Sequence, residues 1–329
     1  MDRSIIIGLI LLVAASCHKQ GGEEHAVNNI SLNPEVAEVK SLVESSTELM
    51  ADGNELTLYD IHTRQDGSLY QYMEDQKVEY STGKWRFQDA SGNDIDIPWT
   101  KQGHHHFLAY LSRYGSKNLT WPVSYIAPSE GGIADDQKIM ISQTLSPANQ
   151  FDFMYATHAR NVETQGTGTV PLEMKHLFAA VEFRVLNMSG NQMTVQSFEI
   201  DGMRVTGSAE IGFVTQPDIV LSAAPDNSGF DVSNKVISGT IGTMDMLHGG
   251  AFLIWPHKSD YYKDVSCTFS YRLGSGSTST VSLALTAANA AVTSWDAGCR
   301  YIYTITISNH VLFDVVRVVD WINDDVILK

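Results

Sequence analysis

The stretch Trp295 to Trp321, WDAGCRYIYTITISNHVLFDVVRVVDW, decides how the rest of the chain is read. From Cys299 to Ile307 the odd positions are Cys299, Tyr301, Tyr303, Ile305 and Ile307. The even ones run Arg300, Thr304, Thr306 and Ser308, with Ile302 the exception. A period of two marks a strand with one buried face. Ser308-Asn309-His310 breaks the run, and a second alternating run follows. In it Val311, Phe313, Val315, Val319 and Trp321 share a face, interrupted only by Arg317. The chain therefore closes on two strand-like runs, rich in β-branched and aromatic residues and joined by a short polar turn. So apolar a closing strand must pair with its own sheet or with a neighbour's.

Outward from this stretch the same grammar recurs. Helical periodicity is scarce, and short alternating or apolar runs separated by Gly, Asn, Asp and Pro return about every dozen residues, which predicts an all-β, sandwich-type fold. Candidate strands are Glu55 to Thr63, Lys77 to Tyr80, Lys84 to Gln88, His106 to Leu111, Val170 to Leu186, Met193 to Ile200, Phe252 to Trp255 and Val265 to Leu273. In the run from Val170 the apolar positions are even as far as His176, then odd from Leu177. A one-residue change of face inverts a strand, so a bulge or kink is expected near His176-Leu177. The segment NVETQGTGT, Asn161 to Thr169, reads as the domain seam.

A length of 329 residues suits two ordinary cores, and 43% hydrophobic content is that of a globular protein. The net charge of −16 comes with no Lys/Arg run, so nucleic acid is not an expected partner. At the N-terminus the apolar run Ile5 to Ala14 is too short to span a bilayer and suits a signal-peptide core. With Val13-Ala14-Ala15-Ser16-Cys17 after it, it resembles a bacterial lipoprotein signal, although Ala14 stands where Leu is usual. That resemblance implies cleavage before Cys17 and a lipid on its thiol, leaving a protein anchored to a membrane without a spanning helix. The expected organisation is a signal peptide over 1–17, a flexible tether over 18–34, an N-terminal sandwich over 35–165 and a C-terminal sandwich over 166–329. Cys267 and Cys299 each lie in a strand-like run; a disulfide between them and two free core thiols are both open readings.

Chemistry-bearing motifs are few. His104-His105-His106 would alternate in a strand, so at most two rings converge, and a metal-free strand end is the expectation. Asp94 and Asp96, Asp135-Asp136 and Asp324-Asp325 lack the spacing of a calcium loop. No nucleophile elbow, zinc-protease helix, phosphate loop or dinucleotide fingerprint is present, so neither an enzyme nor a cofactor is expected. Trp121-Pro122, Tyr125, Trp255-Pro256 and Tyr261-Tyr262 form a candidate sugar-stacking platform if several rings share an exposed plane.

Several landmarks in order carry a family resemblance: the lipoprotein-like leader, Gly83-Lys84-Trp85, His106-Phe107-Leu108-Ala109-Tyr110, Asp152-Phe153-Met154-Tyr155-Ala156, Leu172 to Ala179, Trp295 to Tyr303, and Asp320-Trp321. Together they resemble the fimbrillin-like proteins of Bacteroidales, subunits of type V pili. The resemblance implies two transthyretin-like β-sandwich domains with Greek-key-type connections, export to the outer membrane as a lipoprotein, and assembly into surface fimbriae that support adhesion. It implies that a protease removes the first strand, and that a neighbouring subunit's C-terminal strand fills the groove by strand addition. The tail over 311–329 is then the donor, with Val311, Phe313, Val315, Val319 and Trp321 as its knobs. The expected partners are homologous subunits, the outer membrane and a surface receptor or glycan. An arginine after the first strand is missing: the window Glu35 to Asn54 holds only Lys40, and the first later arginine is Arg64. An uncleaved subunit would sit only at a fibre end, as a tip or anchor. The opposing reading is a glycan-binding surface lipoprotein of a nutrient-uptake system that never polymerises.

Overall fold

The computed structural model describes residues 25–36, 46–127, 137–146, 151–226, 230, 232–288, 290–308 and 311–320. They form five sheets joined by turns and a few single-turn helices. Among them no helix is long and apolar enough to cross a membrane.

The first sheet has nine strands. Its order is Leu32–Val36, Val170–His176, Met154–Asn161, His104–Tyr114, Glu55–Thr63, Leu69–Ser81, Lys84–Gln88 and Asp94–Ile95, with Lys117–Asn118 paired onto His104–Tyr114. Glu55–Thr63 is central, and only its end residues are not buried. It therefore feeds two cores: Leu56 and Leu58 join a cluster with Phe107, Leu111 and Leu172, while Tyr59 and Ile61 join a larger one.

The larger core runs into the second half of the chain. The strands Val123–Ile126, Lys138–Thr144, Thr206–Gly212 and Asp218–Leu221 make a four-stranded sheet that sends Ile139, Ile141, Ala209 and Ile211 into it. Two further sheets face each other. One has Thr243–Met246, Ala179–Asn187, Cys299–Ile307 and Val311–Asp320 in order, with Phe252–Ile254 also paired onto Ala179–Asn187. The other has Val232–Ile237, Met193–Asp201, Ser266–Leu273 and Thr278–Ala284. Phe183 of the first meets Phe198 of the second at 4.8 Å, and Phe183 stacks on Tyr303 at 5.1 Å. This interdigitation of inward-facing rings is how two sheets make one core.

Three sequence expectations change here. The run from Val170 is not one bulged strand: it ends at His176, and after Leu177-Phe178 a new strand begins at Ala179 in a different sheet. The switch of buried face is the switch of sheet, with Leu177 N–H donating to Phe153 O as the chain crosses. The expected seam over 161–169 joins Met154–Asn161 to Val170–His176, which are paired neighbours in the first sheet. Inside the segment read as a tether, His25–Asn29 and Leu32–Val36 are strands. Of the two readings left open for Cys267 and Cys299, the structure has them unbridged, on strands of different sheets.

Candidate functional site: the two terminal edge strands

Both ends of the described chain lie at sheet edges. His25–Asn29 pairs antiparallel with Pro98–Thr100. Leu32–Val36 then runs parallel to Val170–His176, with Leu32 opposite Val170, Pro34 opposite Leu172 and Val36 opposite Met174. Leu32 and Pro34 are buried while Ser31, Asn33 and Glu35 are exposed, the alternation of a strand with one face on a core. Beside them in the sheet, their ladder partners Val170, Leu172 and Met174 are wholly buried. Side-chain ties are peripheral: Ser31 Oγ meets Thr169 Oγ1 at 2.9 Å, and Asn28 Nδ2 donates to Thr167 Oγ1 at 3.0 Å. Pro34 has no N–H to give, a residue suited to an edge and not to the middle of a sheet. No candidate strand covers this segment in the sequence analysis, although the apolar even positions Ile30, Leu32, Pro34 and Val36 carry its signal.

At the other end Val311–Asp320 pairs antiparallel with Cys299–Ile307 and closes that edge of its sheet. Val311 and Phe313 lie opposite Ile307 and Ile305, which belong to the buried row. The register slips between Ile302 and Thr304, so that Arg317 falls opposite Ile302, Val318 opposite the buried Tyr301, and Val319 opposite Arg300. Of the expected knobs on the described strand, Val311 and Phe313 pair with the buried row, while the bulge moves Val319 opposite Arg300 and places Val318 opposite Tyr301. Cys17, Lys40 and Trp321 lie outside the described residues. Val315 is on the strand, at the slip in register.

Arg64 occupies the turn joining Glu55–Thr63 to Leu69–Ser81. Its N–H donates to Ser68 O at 2.8 Å, its guanidinium lies 4.3 Å from the Tyr70 ring centre, and Gly67 supplies the left-handed residue of the turn at φ 83°. A cut here would place the central strand on the amino-terminal fragment. That strand has ladders on both sides, to Leu69–Ser81 and to His104–Tyr114.

The conspicuous motifs resolve into packing. His105 is buried, with Nδ1 2.6 Å from Asp60 Oδ2 and Nε2 2.8 Å from Thr100 Oγ1. His104 and His106 stack on the opposite face at 6.4 Å. The His105 network thus sits behind Thr100, the residue that pairs with His25. A second buried pair, Asp152 with His176, ties two of the family-like motifs together. Among the described residues no group of three His, Cys, Asp or Glu is placed to hold a metal. Around Trp295 the indole Nε1 donates to Tyr303 Oη at 2.8 Å, and the Tyr301 hydroxyl accepts the Asp296 N–H at 2.8 Å. His257 is buried, donates from Nδ1 to Trp255 O at 2.7 Å and accepts the Arg204 N–H on Nε2 at 3.0 Å; burial pushes its pKa down to about 4. Of the expected sugar platform, Trp255 and Tyr262 are wholly buried, Tyr125 stacks on Tyr59 at 4.6 Å, and Tyr261 carries Arg204 at 4.4 Å. Trp121 remains half-buried in a cleft.

Comparison with known proteins places this architecture. The model of a family described as fimbrillin-like matches residues 43–321. No curated protein matches the chain. Among crystal structures, a protein of Bacteroides ovatus named for cell adhesion superposes with a TM-score of 0.56 at 17% identity, covering 91% of this chain and 100% of that one. A fimbrial protein of Bacteroides vulgatus gives a TM-score of 0.55 at 13% identity, covering 89% and 99%. At these identities the likeness is one of fold.

Proposed function

Because this chain belongs to the fimbrillin-like family, we propose that it is a structural subunit of a surface fimbria, in the stalk or as an accessory tip or anchor, joined to its neighbours by exchange of strands. The observation that carries the reading is that Leu32–Val36 and Val311–Asp320 are each the last strand of a sheet. Loss of Leu32–Val36 uncovers the edge of Val170–His176 and the flank of its buried side chains Val170, Leu172 and Met174. A neighbour's tail, peeled from its own Cys299–Ile307, offers main-chain hydrogen bonds to that edge and apolar side chains to the core that Leu32 occupied. Each large side chain so buried contributes roughly 1.5–3 kcal/mol before the costs of association. The exchange trades one edge ladder for another, so the net gain is a difference between similar terms. Cys17 is the proposed lipid anchor at the outer membrane, and adhesion follows through the fimbria.

The position of Arg64 bears on processing. Release of a fragment ending there needs the central strand to leave two ladders and two cores, which is far costlier than release of an edge strand. Lys40 follows Leu32–Val36 in sequence, so a cut after it would release only edge strands, and it is the processing site of this proposal. If no cut is made, the subunit donates its tail but accepts none, and so terminates a fibre. Trypsin treatment of protein beginning at His18, followed by intact mass, size exclusion and negative-stain microscopy, tests the reading. A cut after Lys40 with growth of fibres identifies a stalk subunit. Addition of the uncut protein only to fibre ends identifies a tip or anchor. A clipped monomer that neither donates nor accepts a strand overturns the proposal.

A further inference from the structure

Thr278–Ala284 closes one edge of the sheet that carries Met193–Asp201 and Ser266–Leu273. It pairs with Ser266–Leu273 over seven successive positions, from Ser266 opposite Ala284 to Arg272 opposite Thr278, without a slip in register. Every second residue therefore points its N–H and C=O away from that partner, and no described strand lies on the far side. Such a row is a template for another strand, and native edges carry devices that spoil it. Other edges of this protein have them. Leu32–Val36 has Pro34, and Val311–Asp320 has Asp314, Arg317 and Asp320. Val232–Ile237 has Asn234 in the left-handed region at φ 56°, followed by Lys235. The run TSTVSLA of Thr278–Ala284 has no proline, no charge and no left-handed residue.

The two faces of the strand differ. Ser270 Oγ meets Thr280 Oγ1 at 2.8 Å and Thr268 Oγ1 meets Ser282 Oγ at 3.2 Å, so hydroxyls line the outer face. Val281 and Leu283 lie on the other face, half-buried against the core beside Phe269 and Cys267. An incoming strand must bring hydroxyls to one face and apolar groups to the other. The strand itself meets that demand. Set antiparallel about Val281, a second copy places Thr280 opposite Ser282, Val281 opposite Val281 and Ser279 opposite Leu283. The hydroxyl row then runs on across the join, and the two Val281 side chains close the open flank of each core. Charge points the same way. Two chains of −16 repel, and a strand without ions lets them meet with no carboxylates of that strand facing each other. We infer that Thr278–Ala284 is a self-association surface, joining two copies edge to edge about a two-fold axis into one continuous sheet. The contact uses neither the first strand nor the tail, so it stands apart from strand exchange. One strand seam is small beside a standard interface, and the dimer is accordingly weak.

Cysteine cross-linking of protein beginning at His18 and carrying Cys299→Ser tests it, because directly paired positions of two antiparallel strands are close enough for a disulfide. Under mild oxidation Val281→Cys is expected to give a disulfide-linked dimer. Thr278→Cys, which pairs with Ala284 of the second copy and lies far from its own image, is expected to stay monomeric. Sedimentation of the unsubstituted protein is expected to show reversible dimers as concentration rises, lost in Thr280→Lys at an unchanged melting temperature. That comparison decides alone should Val281→Cys fail to fold. A protein monomeric at every concentration, a folded Val281→Cys variant that does not cross-link, equal cross-linking at both positions, or dimers that survive Thr280→Lys would each overturn the inference. Capture of the 308–329 peptide at this edge in place of a second copy would do the same.

Discussion

His257 shows how a single side chain couples this fold to pH. Its ring is neutral inside the protein, with both nitrogens engaged by backbone groups, and burial holds its pKa at about 4. In the unfolded chain the ring titrates near 6.5, so the unfolded state binds the proton first as pH falls. Stability is therefore fully present above about pH 6.5, declines as pH drops toward 4, and levels off below, a loss of roughly 3 kcal/mol from this residue. His248, also brought to about 4 by burial and by Lys235, adds to the same slope. Urea unfolding of the native chain between pH 7 and pH 4 is expected to show this decline, and His257→Gln to flatten it. Equal slopes in the two proteins would remove His257 as its source. The thiols give a second test. Cys267 is wholly buried, and its pKa is pushed up to about 12 by burial, whereas Cys299 is partly exposed. Labelling with a thiol reagent is expected to modify Cys299 in the folded protein and Cys267 only on unfolding, without prior reduction. Failure to titrate either thiol without reductant would instead reveal a disulfide.

At the scale of elements, the weakest strands should be the terminal ones. Leu32–Val36 has one ladder and a proline, while Glu55–Thr63 has two ladders and two buried faces. Amide hydrogen exchange is expected to open Leu32–Val36 orders of magnitude before Glu55–Thr63, and Val311–Asp320 before Cys299–Ile307. Uniform protection across all four strands would contradict an exchangeable edge. The same contrast explains what the sequence made legible. Glu55–Thr63, Lys84–Gln88 and Cys299–Ile307 follow from alternation with the bounds the structure gives them. Thr278–Ala284 does not, because at an edge it is largely exposed and has no continuous apolar face to announce it. The change of face at His176-Leu177 was visible, but a bulge within one sheet and a crossing between two sheets leave the same mark in sequence. The parallel pairing of Leu32–Val36 with Val170–His176 joins residues more than a hundred positions apart, which no local period encodes. Neither does the slip opposite Ile302 and Thr304, set by the partner strand, that reassigns the tail's faces.

At the scale of the whole molecule, one strand near each end closes a sheet edge, and the account rests on those edges being interchangeable between copies. Leu32–Val36 pairs along Val170–His176 beside Val170, Leu172 and Met174; Val311–Asp320 is paired on one side alone, by Cys299–Ile307. The most direct measurement is the binding of a labelled peptide spanning residues 308–329 to protein beginning at Ser41, which lacks both His25–Asn29 and Leu32–Val36, beside protein beginning at His18, which keeps them. Strand exchange at this edge predicts one peptide bound per shortened subunit, resistant to dilution, abolished by Leu172→Asp, and no binding to the longer protein. A folded shortened subunit that ignores the peptide, or equal binding by both proteins, would contradict strand exchange at this edge.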